Sequence, residues 1–415
     1  MEHTVHPPRN VLIVGGRDNW IIAARQLGLR FSMIQCSEML TPLQRELGDA
    51  LHIVSRGDHQ QITALATELQ ARERFGAVIT SYEPWMVLAA TLAQTLEVAG
   101  LPLTAVERSR NKLLFRQVTN DHPRIPFVEY SECRNVSDVE EFQRAMRGPI
   151  IVKPIQGTAS DGVSRVDDPA QIEAAVRWVR SADDWMAGNG DSFLCERYVE
   201  GRELSVDMMS NAGEHRILAI NEKMVFGQHH VSVGHSLPAV IDTPTVARIA
   251  AVMGDMLDAI GNTTGPTHTE FKLEADTPRI IETQTRFGGG NIWNLVELTT
   301  GINVPKHTLE TLLGLPLSRS PPVAAAAAVR YLLLAQGTLT RIEDFSDVSN
   351  MAGVQEVSVT VTPGSRVGPV RRSDERPGYV ICCGPDLEAA CRNANLAAAA
   401  LRDKLTITTA EAATA

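Results

Sequence analysis

Short apolar runs alternate with amphipathic stretches along the first hundred residues. The run Asn10–Gly16 is predicted to be a strand that ends in glycines, and a helical pattern follows over residues 20–29. Further predicted elements are strands at residues 31–35, 50–54 and 77–80 and a helix at residues 60–74. Alternation of strands and helices is typical of a parallel sheet covered by helices. We therefore predict an α/β domain over residues 1–104.

The glycine pair Gly15-Gly16 lies where the first predicted strand ends. Two interpretations are open: a dinucleotide-binding turn, or a tight turn from strand to helix. The residues that follow, Arg17-Asp18-Asn19, do not complete the GxGxxG pattern of dinucleotide-binding proteins. The tight turn is the favoured interpretation.

The pattern changes after Pro102, where glycine-rich loops separate longer strands and helices. The predicted elements are a helix at residues 105–119, strands at 150–153, 193–196 and 203–207, a hairpin at 267–284 and a helix at 291–299. Pro321-Pro322 and the alanine run at 324–328 indicate a boundary. Short strands then lead to a final helix at residues 386–401, and the end of the chain has no apolar period.

The hairpin carries the first candidate for chemistry. A turn centred on Asp276 places Glu270 opposite Glu282 and Phe271 opposite Ile281, so that Glu270, Glu282 and Gln284 share one face. Opposed carboxylates repel each other without a cation, and Mg²⁺ prefers oxygen ligands and commonly bridges a protein to nucleotide phosphates. The pattern indicates a magnesium site; the alternative is a half-solvated hairpin with a polar outer face.

Lys153 lies at the end of a predicted strand, before a loop of small residues at 156–162. A lysine fixed on a strand supplies charge for a phosphate, and small loop residues let backbone N–H groups approach the phosphate oxygens. The alternative is an exposed lysine before a surface loop. The spacing differs from GxxxxGK[ST], which disfavours a P-loop fold.

The segment Glu196–Glu203 is predicted to be a strand, a short hinge and a second strand. Backbone groups at residues 197–199 could recognise an adenine edge under the cover of Tyr198, and Glu203 could accept hydrogen bonds from ribose hydroxyls. The alternative is an ordinary charged reverse turn.

Three histidines, His229, His230 and His235, lie near Lys223 in the sequence. Adjacent residues of a strand point to opposite faces, so at most one of His229 and His230 is expected to act. His235, which precedes a Ser-Leu-Pro turn, is the favoured candidate to steady a reactive phosphate or to accept a proton.

The run Arg286-Phe-Gly-Gly-Gly290 opens a predicted helix. A free helix N-terminus preceded by glycines attracts a carboxylate or a phosphate. The alternative is a flexible joint without a ligand. Trp293 either shapes a pocket here or only packs.

Composition excludes several classes of protein. The chain has 415 residues, 44% of them apolar, with no apolar run long enough to cross a bilayer. Six scattered cysteines without a CxxC pair favour reduced thiols, and a formal charge of −10 argues against general nucleic-acid binding. The N-terminus lacks the layout of a secretory signal. We expect a soluble, cytoplasmic protein that binds neither nucleic acid nor membranes.

These motifs occur in the order and approximate spacing of the ATP-grasp ligases, which the chain resembles over nearly its whole length. Within that superfamily the segments His268–Lys272, Arg286–Gly290 and Gly234–Pro238 resemble L-amino-acid ligases of dipeptide and antibiotic synthesis, including the dapdiamide-type ligase. The resemblance implies a Rossmann-like pre-ATP-grasp domain (1–104), an ATP-grasp domain (105–317) and a C-terminal α/β lobe (318–405) like that of biotin carboxylase. Within the second domain it implies a nucleotide lid at about 125–195 and a metal and catalytic lobe at about 196–317. Residues 406–415 are expected to form a flexible tail.

The resemblance also implies a role for individual residues. ATP contacts are expected from Lys112, Lys153, Gly157, Ser160, Gly162, Glu196, Arg197, Tyr198, Val199 and Glu203. Metal ligands are expected to be Glu270, Glu282 and Gln284, where many members of the superfamily have asparagine at the last position. Catalytic groups are expected to be Arg286, His235 and Lys223, and substrate contacts His268, Gly288, Gly289 and Asn291.

The implied reaction converts a carboxylate and ATP into an acyl phosphate, which an amine attacks to give an amide, ADP and phosphate. ATP and Mg²⁺ are the implied cofactors, with Mn²⁺ able to substitute, and the implied partners are a small carboxylate and an amino acid. The oligomeric state stays open, with a homodimer as one candidate because dimers are the commonest assembly. Two alternatives stay open: a bicarbonate-activating carboxylase like biotin carboxylase, and an ATP-binding protein without turnover.

Overall fold

The computed structural model describes residues 9–182, 191–227 and 229–408. Its strands are β1 (Asn10–Val14), β2 (Arg30–Cys36), β3 (Leu51–Val54), β4 (Ala77–Ile79), β5 (Tyr130–Cys133), β6 (Ile150–Lys153), β7 (Ser164–Val166), β8 (Phe193–Arg197), β9 (Arg202–Asn211), β10 (Glu214–Phe226), β11 (Val231–Leu237), β12 (Gly265–Glu274), β13 (Thr277–Gln284), β14 (Ala326–Tyr331), β15 (Gly337–Ile342), β16 (Val354–Val359), β17 (Arg366–Val367), β18 (Gly378–Gly384) and β19 (Leu405–Thr408).

The α-helices, in chain order, are α1 (Asn19–Gln26), α2 (Pro42–Arg45), α3 (His59–Glu73), α4 (Met86–Thr95), α5 (Leu103–Arg110), α6 (Lys112–Asn120), α7 (Val136–Met146), α8 (Ile172–Arg180), α9 (Thr243–Ile260), α10 (Ile292–Thr300), α11 (Val304–Leu312), α12 (Ser346–Ser349) and α13 (Leu387–Asp403).

The first strands form a parallel sheet in the order β3-β2-β1-β4, as the alternating pattern predicts. The turn after β1 is tight: Gly15 and Gly16 have φ of 69° and 107°, a region that L side chains rarely adopt. A Cβ on Gly15 would lie 2.6 Å from the Trp85 ring. This geometry confirms the tight-turn interpretation and presents Arg17 at the end of the sheet.

A second, antiparallel sheet runs in the order β13-β12-β9-β10-β11-β14-β18-β16. The end of the alanine run belongs to strand β14, in which Ala326–Ala328 are almost fully buried and Ala326 and Ala328 share a core cluster with alanines of α13. Small side chains let the helix approach the sheet closely. The sheet therefore continues across the segment that the sequence indicated as a boundary, and the predicted domain limits stay predictions.

A smaller antiparallel sheet, in the order β5-β8-β6-β7, places Lys153 and Glu196 next to each other. It carries α7 and α8, and its core includes Val139, Val152 and Val176. A three-stranded sheet, β17-β15-β19, lies in the C-terminal part of the chain.

Two predicted boundaries were wrong. The helix expected at residues 105–119 is divided into α5 and α6 at Asn111, which has an extended backbone and whose side chain accepts a hydrogen bond from the Leu114 N–H. Capping of this kind starts a new helix and fixes the position of Lys112 at its first turn. Residues 406–408 were expected in a flexible tail but belong to β19, and the rest of that tail lies outside the described residues.

The predicted hairpin is confirmed with one change of register. Glu270 pairs with Glu282 across β12 and β13, but a bulge follows, so Phe271 pairs with Ile280 rather than Ile281. A bulge turns side chains toward a different face. Ile280 is consequently buried in the core, while Ile281 faces a cavity.

His229 and His230 do not lie on a strand, contrary to the prediction. Both belong to the turn between β10 and β11, and His230 has a φ of 50°. His229 packs against Trp178 and His230 against Tyr198, with ring centroids 5.1 and 5.6 Å apart. The strand argument about opposite faces therefore does not apply.

Candidate active site

Three adjoining cavities lie between the small antiparallel sheet, the large sheet and the first sheet. The inner cavity, of about 100 Å³, is lined by Lys112, Lys153, the loop after β6, the β8–β9 hinge and the hairpin. The central cavity, of about 350 Å³, shares Lys223, Glu270 and Glu282 with it. The outer cavity, of about 580 Å³, shares Arg286 and the run from Gly289 to Gly290 with the central one.

Lys153 and Glu196 form a buried ionic network with Arg116 of α6. Lys153 Nζ lies 2.7 Å from Glu196 Oε2, and Arg116 Nε and Nη2 donate to the two carboxylate oxygens at 2.6 and 3.1 Å. Burial alone would raise the pKa of Glu196, but Arg116 and Lys153 lower it to about 2. The side chain of Glu196 thus holds Lys153 at the cavity wall, so that any adenine contact from this residue would come from its backbone.

The hinge between β8 and β9 presents a backbone donor at the inner cavity, the N–H of Val199. The N–H groups of Arg197 and Tyr198 donate to Glu129 O and Pro149 O, whereas the Val199 N–H donates to no acceptor among residues 9–182, 191–227 and 229–408. The Arg197 side chain pairs with Glu129 and Glu274. The backbone, rather than the Arg197 side chain, is therefore the feature that can recognise a base here.

Tyr198 lies between two cations, with Arg165 and Lys272 each 4.0 Å from its ring centre. Glu203 lies on the cavity wall nearby, 2.8 Å from Lys223 Nζ. Burial lowers the pKa of His230 to about 4, which keeps this lining histidine neutral near pH 7. An aromatic ring beside a carboxylate is a surface suited to a base and a ribose.

The loop after β6 covers the inner cavity. Gly157, Thr158, Ala159 and Ser160 line it, and Lys112 Nζ donates to Gly157 O at 3.1 Å. Gly162 does not line it: a Cβ there would lie 2.7 Å from Pro154, so this glycine serves the packing of the loop. Of the three loop residues predicted to contact ATP, the structure brings Gly157 and Ser160 to the cavity.

The C-terminal part of the chain touches this loop. The Ser373 N–H donates to Ala159 O at 3.1 Å, and Arg372 Nη1 lies 3.6 Å from Asp161 Oδ2. The inner cavity is also smaller than the roughly 300–1,000 Å³ typical of ligand pockets. Entry of a nucleotide therefore requires the loop to move away from these contacts.

We expect Arg372→Ala to speed amide hydrogen exchange at residues 157–162 by up to about fivefold, because a partly exposed ion pair is worth up to about 1 kcal/mol. Arg371→Ala is the matched control, since this exposed neighbour forms only backbone contacts. ATP with Mg²⁺ should slow exchange in the same loop. Equal exchange in the two variants would show that the Arg372 contact does not hold the loop.

Glu270, Glu282 and Gln284, the predicted metal ligands, all line the central cavity. Lys223 Nζ lies 2.7 Å from Glu270, Lys112 Nζ lies 3.5 Å from Glu282, and the Gln284 amide donates to Glu282 at 3.0 Å. Burial alone would raise the pKa of Glu270, but Lys223 and His268 hold it well below its ordinary value. Glu270 is therefore available in the charged form.

This donor set fits Mg²⁺ bound together with phosphate. No cluster of three or more His, Cys, Asp or Glu side chains able to hold a metal occurs in the described part of the chain. Mg²⁺ commonly takes only one or two carboxylates and completes its shell with phosphates and water, so Glu270 and Glu282 suffice. Because Gln284 directs its N–H₂ group at Glu282, ligation by its oxygen would need the amide to rotate.

Lys223 and His268 are held on either side of Glu270. Burial would lower the pKa of Lys223, but Glu203 and Glu270 raise it, so the lysine stays charged and cannot serve as a base. His268 Nδ1 lies 3.1 Å from Asp207 Oδ1; burial would lower its pKa, but Asp207 and Glu270 raise it to about 9. These two groups supply positive charge, and Asp207, which sequence reasoning missed, orients the histidine.

His235 lines the central cavity in a neutral state. Its Nε2 lies 2.7 Å from Ser232 Oγ, its Nδ1 has no partner in the described residues, and burial keeps its pKa well below the ordinary value. A neutral imidazole can accept a hydrogen bond from an amine.

Arg286 is held by Glu83, which lies after β4 and was not identified from the sequence. Its Nε donates to Glu83, and Arg110 Nη1 donates to the other oxygen of the same carboxylate at 2.9 Å. Burial would raise the pKa of Glu83, but Arg286 and Arg110 lower it. Glu83 thus fixes the direction of the guanidinium between the central and outer cavities.

The glycine run divides between two tasks. Gly289 and Asn291 line the outer cavity, and α10 begins after Asn291, whose φ is 61° and whose side chain does not cap the helix. The Gly288 N–H instead donates to Asp207 Oδ1 at 3.2 Å, and this residue does not line the cavities. Of the predicted substrate contacts, His268, Gly289 and Asn291 reach a cavity wall and Gly288 does not.

The fold and the site agree with a match to a known domain: residues 146–293 match the ATP-grasp domain family. In the C-terminal part of the chain, residues 330–405 match the L-amino acid ligase C-terminal domain 2. The chain thus carries an ATP-grasp domain followed by a domain of the L-amino acid ligase type. The matches confirm the predicted ATP-grasp domain and the mixed α/β fold.

Solved structures share this architecture over almost the whole chain. The L-amino acid ligase from Bacillus licheniformis superposes with a TM-score of 0.79 at 24% identity, covering 96% of this chain and 98% of the other. The biotin carboxylase domain of the Hydrogenobacter thermophilus 2-oxoglutarate carboxylase, in complex with MgADP, ADP and bicarbonate, gives 0.71 at 15% identity, covering 96% and 90%. At these identities the likeness shows the fold.

A sequence relative gives a shorter match. The D-alanine–D-alanine ligase of Flavobacterium psychrophilum is 28% identical over 46% of this chain and 58% of its own length. The chain therefore spans little more than half of that relative. None of the helices in the described residues is both long and apolar enough to cross a membrane.

Proposed function

We propose that the protein is an ATP-dependent, ADP-forming ligase that joins a carboxylate to the amine of an amino acid. The observation that carries this proposal is the opposed pair Glu270 and Glu282, flanked by Lys112, Lys223 and Arg286, between an inner cavity suited to a nucleotide and an outer cavity suited to a small substrate. A binding site for ATP alone would not need a cationic centre open to a second cavity.

The chemistry follows from the order of the cavities. A carboxylate oxygen of the acid attacks the γ-phosphorus, the bond to the β-phosphate oxygen breaks, and ADP leaves. The amine nitrogen then attacks the carbonyl carbon of the acyl phosphate, phosphate leaves, and the nitrogen loses a proton. Two anions must meet in the first step, so fixed cations have to neutralise the charge on the transferred group.

Each part of the chain has a defined task in this scheme. Lys112 and Lys153 bind the phosphates, the Val199 N–H and the Tyr198 ring hold the base, and Glu203 binds the ribose. Glu270 and Glu282 hold Mg²⁺, which supplies charge neutralisation at the γ-phosphate when bound. Arg286 faces the acyl phosphate, and neutral His235 accepts a hydrogen bond from the incoming amine. The loop at residues 157–162 excludes water and protects the acyl phosphate.

The biological setting that we propose is the synthesis of a dipeptide or a peptide antibiotic. It is supported by the match of residues 330–405 to the L-amino acid ligase C-terminal domain and by the L-amino acid ligase structure that shares the fold. Amino-acid-sized substrates also suit the volume of the outer cavity.

The test is a screen of the purified protein with Mg²⁺, ATP and pairs of amino acids and other small acids. We expect phosphate release that depends on both substrates and a product mass equal to the two substrates minus water. Production of AMP and pyrophosphate would assign another mechanism. Tight ATP binding without turnover across the panel would favour a regulatory protein instead.

Glu83→Gln should lower kcat about tenfold, because it weakens the charge-assisted hydrogen bond that orients Arg286. The KM for ATP should stay nearly unchanged, because both residues lie outside the inner cavity. Steady-state kinetics with ATP as the varied substrate measures this split. Glu107→Gln, on an exposed position of α5, is the control. A rise in the KM for ATP with normal kcat would contradict a positioning role for Glu83.

A further inference from the structure

The outer cavity is walled mainly by four parts of the chain. They are the turn between β1 and α1, the segment at residues 81–84, the glycine run before α10, and residues from the C-terminal part around Tyr331 and Ser373–Arg376. Its volume of about 580 Å³ lies within the range of small-molecule sites. The wall is continuous with the central cavity, so a molecule bound there would adjoin the reacting groups.

The charges of this wall do not cancel. Glu83 is already bound by Arg286 and Arg110, and Asp374 by Arg372, whose Nη2 lies 2.6 Å from Asp374 Oδ2. The remaining ionisable cations in the wall are Arg17 and Arg376, which line both the central and the outer cavity.

Arg376 is half-buried without a carboxylate partner in the described residues. Its Nε donates to Ser373 O at 2.6 Å, its Nη1 donates to Ser232 O at 3.1 Å, and the guanidinium lies 3.6 Å from the centre of the Tyr331 ring. The Nη2 group forms no hydrogen bond with a backbone or carboxylate acceptor among the described residues. Two backbone bonds and a ring therefore fix the orientation of this cation and leave one edge for a ligand.

Arg17 and Tyr331 are two further polar groups in the wall of the outer cavity. Arg17 is exposed, follows the Gly15-Gly16 turn and forms no hydrogen bond or ion pair with the residues that the structure describes. The Tyr331 hydroxyl is buried and interacts with the Arg376 guanidinium, but it makes no close hydrogen bond with the described residues. A tyrosine hydroxyl at a cavity wall can donate a hydrogen bond to a bound carboxylate.

We propose that Arg376 and Arg17 bind the carboxylate of the amino acid that supplies the amine, with Tyr331 beside it, so that the acceptor substrate must be an amino acid with a free carboxylate. This inference rests on the proposed ligase function and specifies its second substrate. An amine that lacks the carboxylate, or an amino acid whose carboxylate is amidated, should be a poor acceptor.

The two arginines are assigned to the second substrate because its carboxylate keeps its negative charge throughout the reaction. The acid that is activated gives its negative charge to the acyl phosphate, next to Lys112, Lys223 and Arg286. The carboxylate of the amine donor takes no part in bond formation and keeps its charge throughout. It therefore needs a fixed cation outside the phosphate site, which is where Arg17 and Arg376 lie.

Two products formed from the same acid are measured, so that a failure of this inference can be distinguished from a failure of the proposed ligase function. Hydroxylamine traps an acyl phosphate as a hydroxamate without any amino acid, whereas the amide requires the amino acid to bind. We expect Arg376→Ala and Arg17→Ala to lower the ratio of amide to hydroxamate by about 10- to 100-fold, the value of one charge-assisted hydrogen bond. Arg371→Ala, in the same segment but outside the cavities, is the matched control.

A second comparison uses the amino acid and its carboxamide as acceptors. The unmodified protein should prefer the free carboxylate by about 10- to 100-fold in kcat/KM, and both variants should lose most of that preference. Arg17 is exposed, so its variant tests the inference even if Arg376→Ala fails to fold. An unchanged preference in Arg17→Ala and in folded Arg376→Ala would overturn the inference, as would equal losses of hydroxamate and amide. Absence of hydroxamate with every acid in the unmodified protein would instead overturn the ligase function.

Discussion

Glu282→Ala is expected to lower the rate of amide formation by about 10²-fold or more. Glu282 lines the inner and central cavities, lies opposite Glu270, and is approached by Lys112 at 3.5 Å. Loss of a single metal or oxyanion contact commonly costs several kcal/mol in the transition state. Initial rates of phosphate release at saturating ATP, measured over a range of Mg²⁺ concentrations, give the size of the effect and its dependence on the metal.

Glu214→Ala provides the comparison for this variant. Glu214 belongs to the same large sheet but has an exposed side chain that, among the described residues, forms an ion pair only with Arg216, and it lines neither the inner nor the central cavity. It should retain the full rate. Normal activity of Glu282→Ala, or a loss in both variants, would remove Glu282 from the metal site. Partial recovery of Glu282→Ala at high Mg²⁺ would support the role assigned to it.

The parts of this site that could be predicted from sequence are those that depend on residues close together in the chain. The hairpin is local because both strands lie within 20 residues of each other, so a period of two and a turn at Asp276 were enough to oppose Glu270 and Glu282. Lys153 could be recognised at the end of β6 for the same reason. The bulge that moves Ile281 was not foreseen, because a bulge depends on how β12 is held between β13 and β9.

The groups that hold the functional side chains were missed because they are distant in the sequence. Glu83 meets Arg286 over a separation of 203 residues, Asp207 meets His268 over 61, and Arg116 meets Glu196 over 80. Nothing in the local pattern of Glu83 differs from that of an ordinary surface acid. A buried arginine or histidine needs a partner, but the sequence does not say which acid the fold brings to it.

The C-terminal residues at the cavity illustrate the same limit. The segment Arg371–Arg376 has the composition of an exposed loop, and only the packing of β14 and β18 into the large sheet brings it to the glycine loop and the outer cavity. In the sequence, Arg17 stands out only as the first residue that fails to complete a dinucleotide-binding motif. Its position beside Arg376 is a property of how the first sheet meets the C-terminal residues.

Glu196→Ala should destabilise the protein by about 3–5 kcal/mol, because it leaves Arg116 and Lys153 buried without their shared carboxylate. Both oxygens of Glu196 are in use, and all three side chains are almost fully buried. The loss is larger than the net value of the network, since removing one member exposes the desolvation cost of the other two. Urea unfolding, with the midpoint and slope fitted together, measures the change.

Glu132→Ala, on the adjacent strand β5, is the control for removing a carboxylate that lies outside this network. Its side chain is exposed and its only ion pair, with Arg134, is 4.0 Å long, so the change in unfolding free energy should stay within about 0.5 kcal/mol. If Glu196→Ala were equally mild, Arg116 and Lys153 would have to be reaching water or other acceptors in solution. The inner cavity would then lack the fixed Lys153 on which its proposed phosphate binding depends, and ATP affinity should already be weak in the unmodified protein.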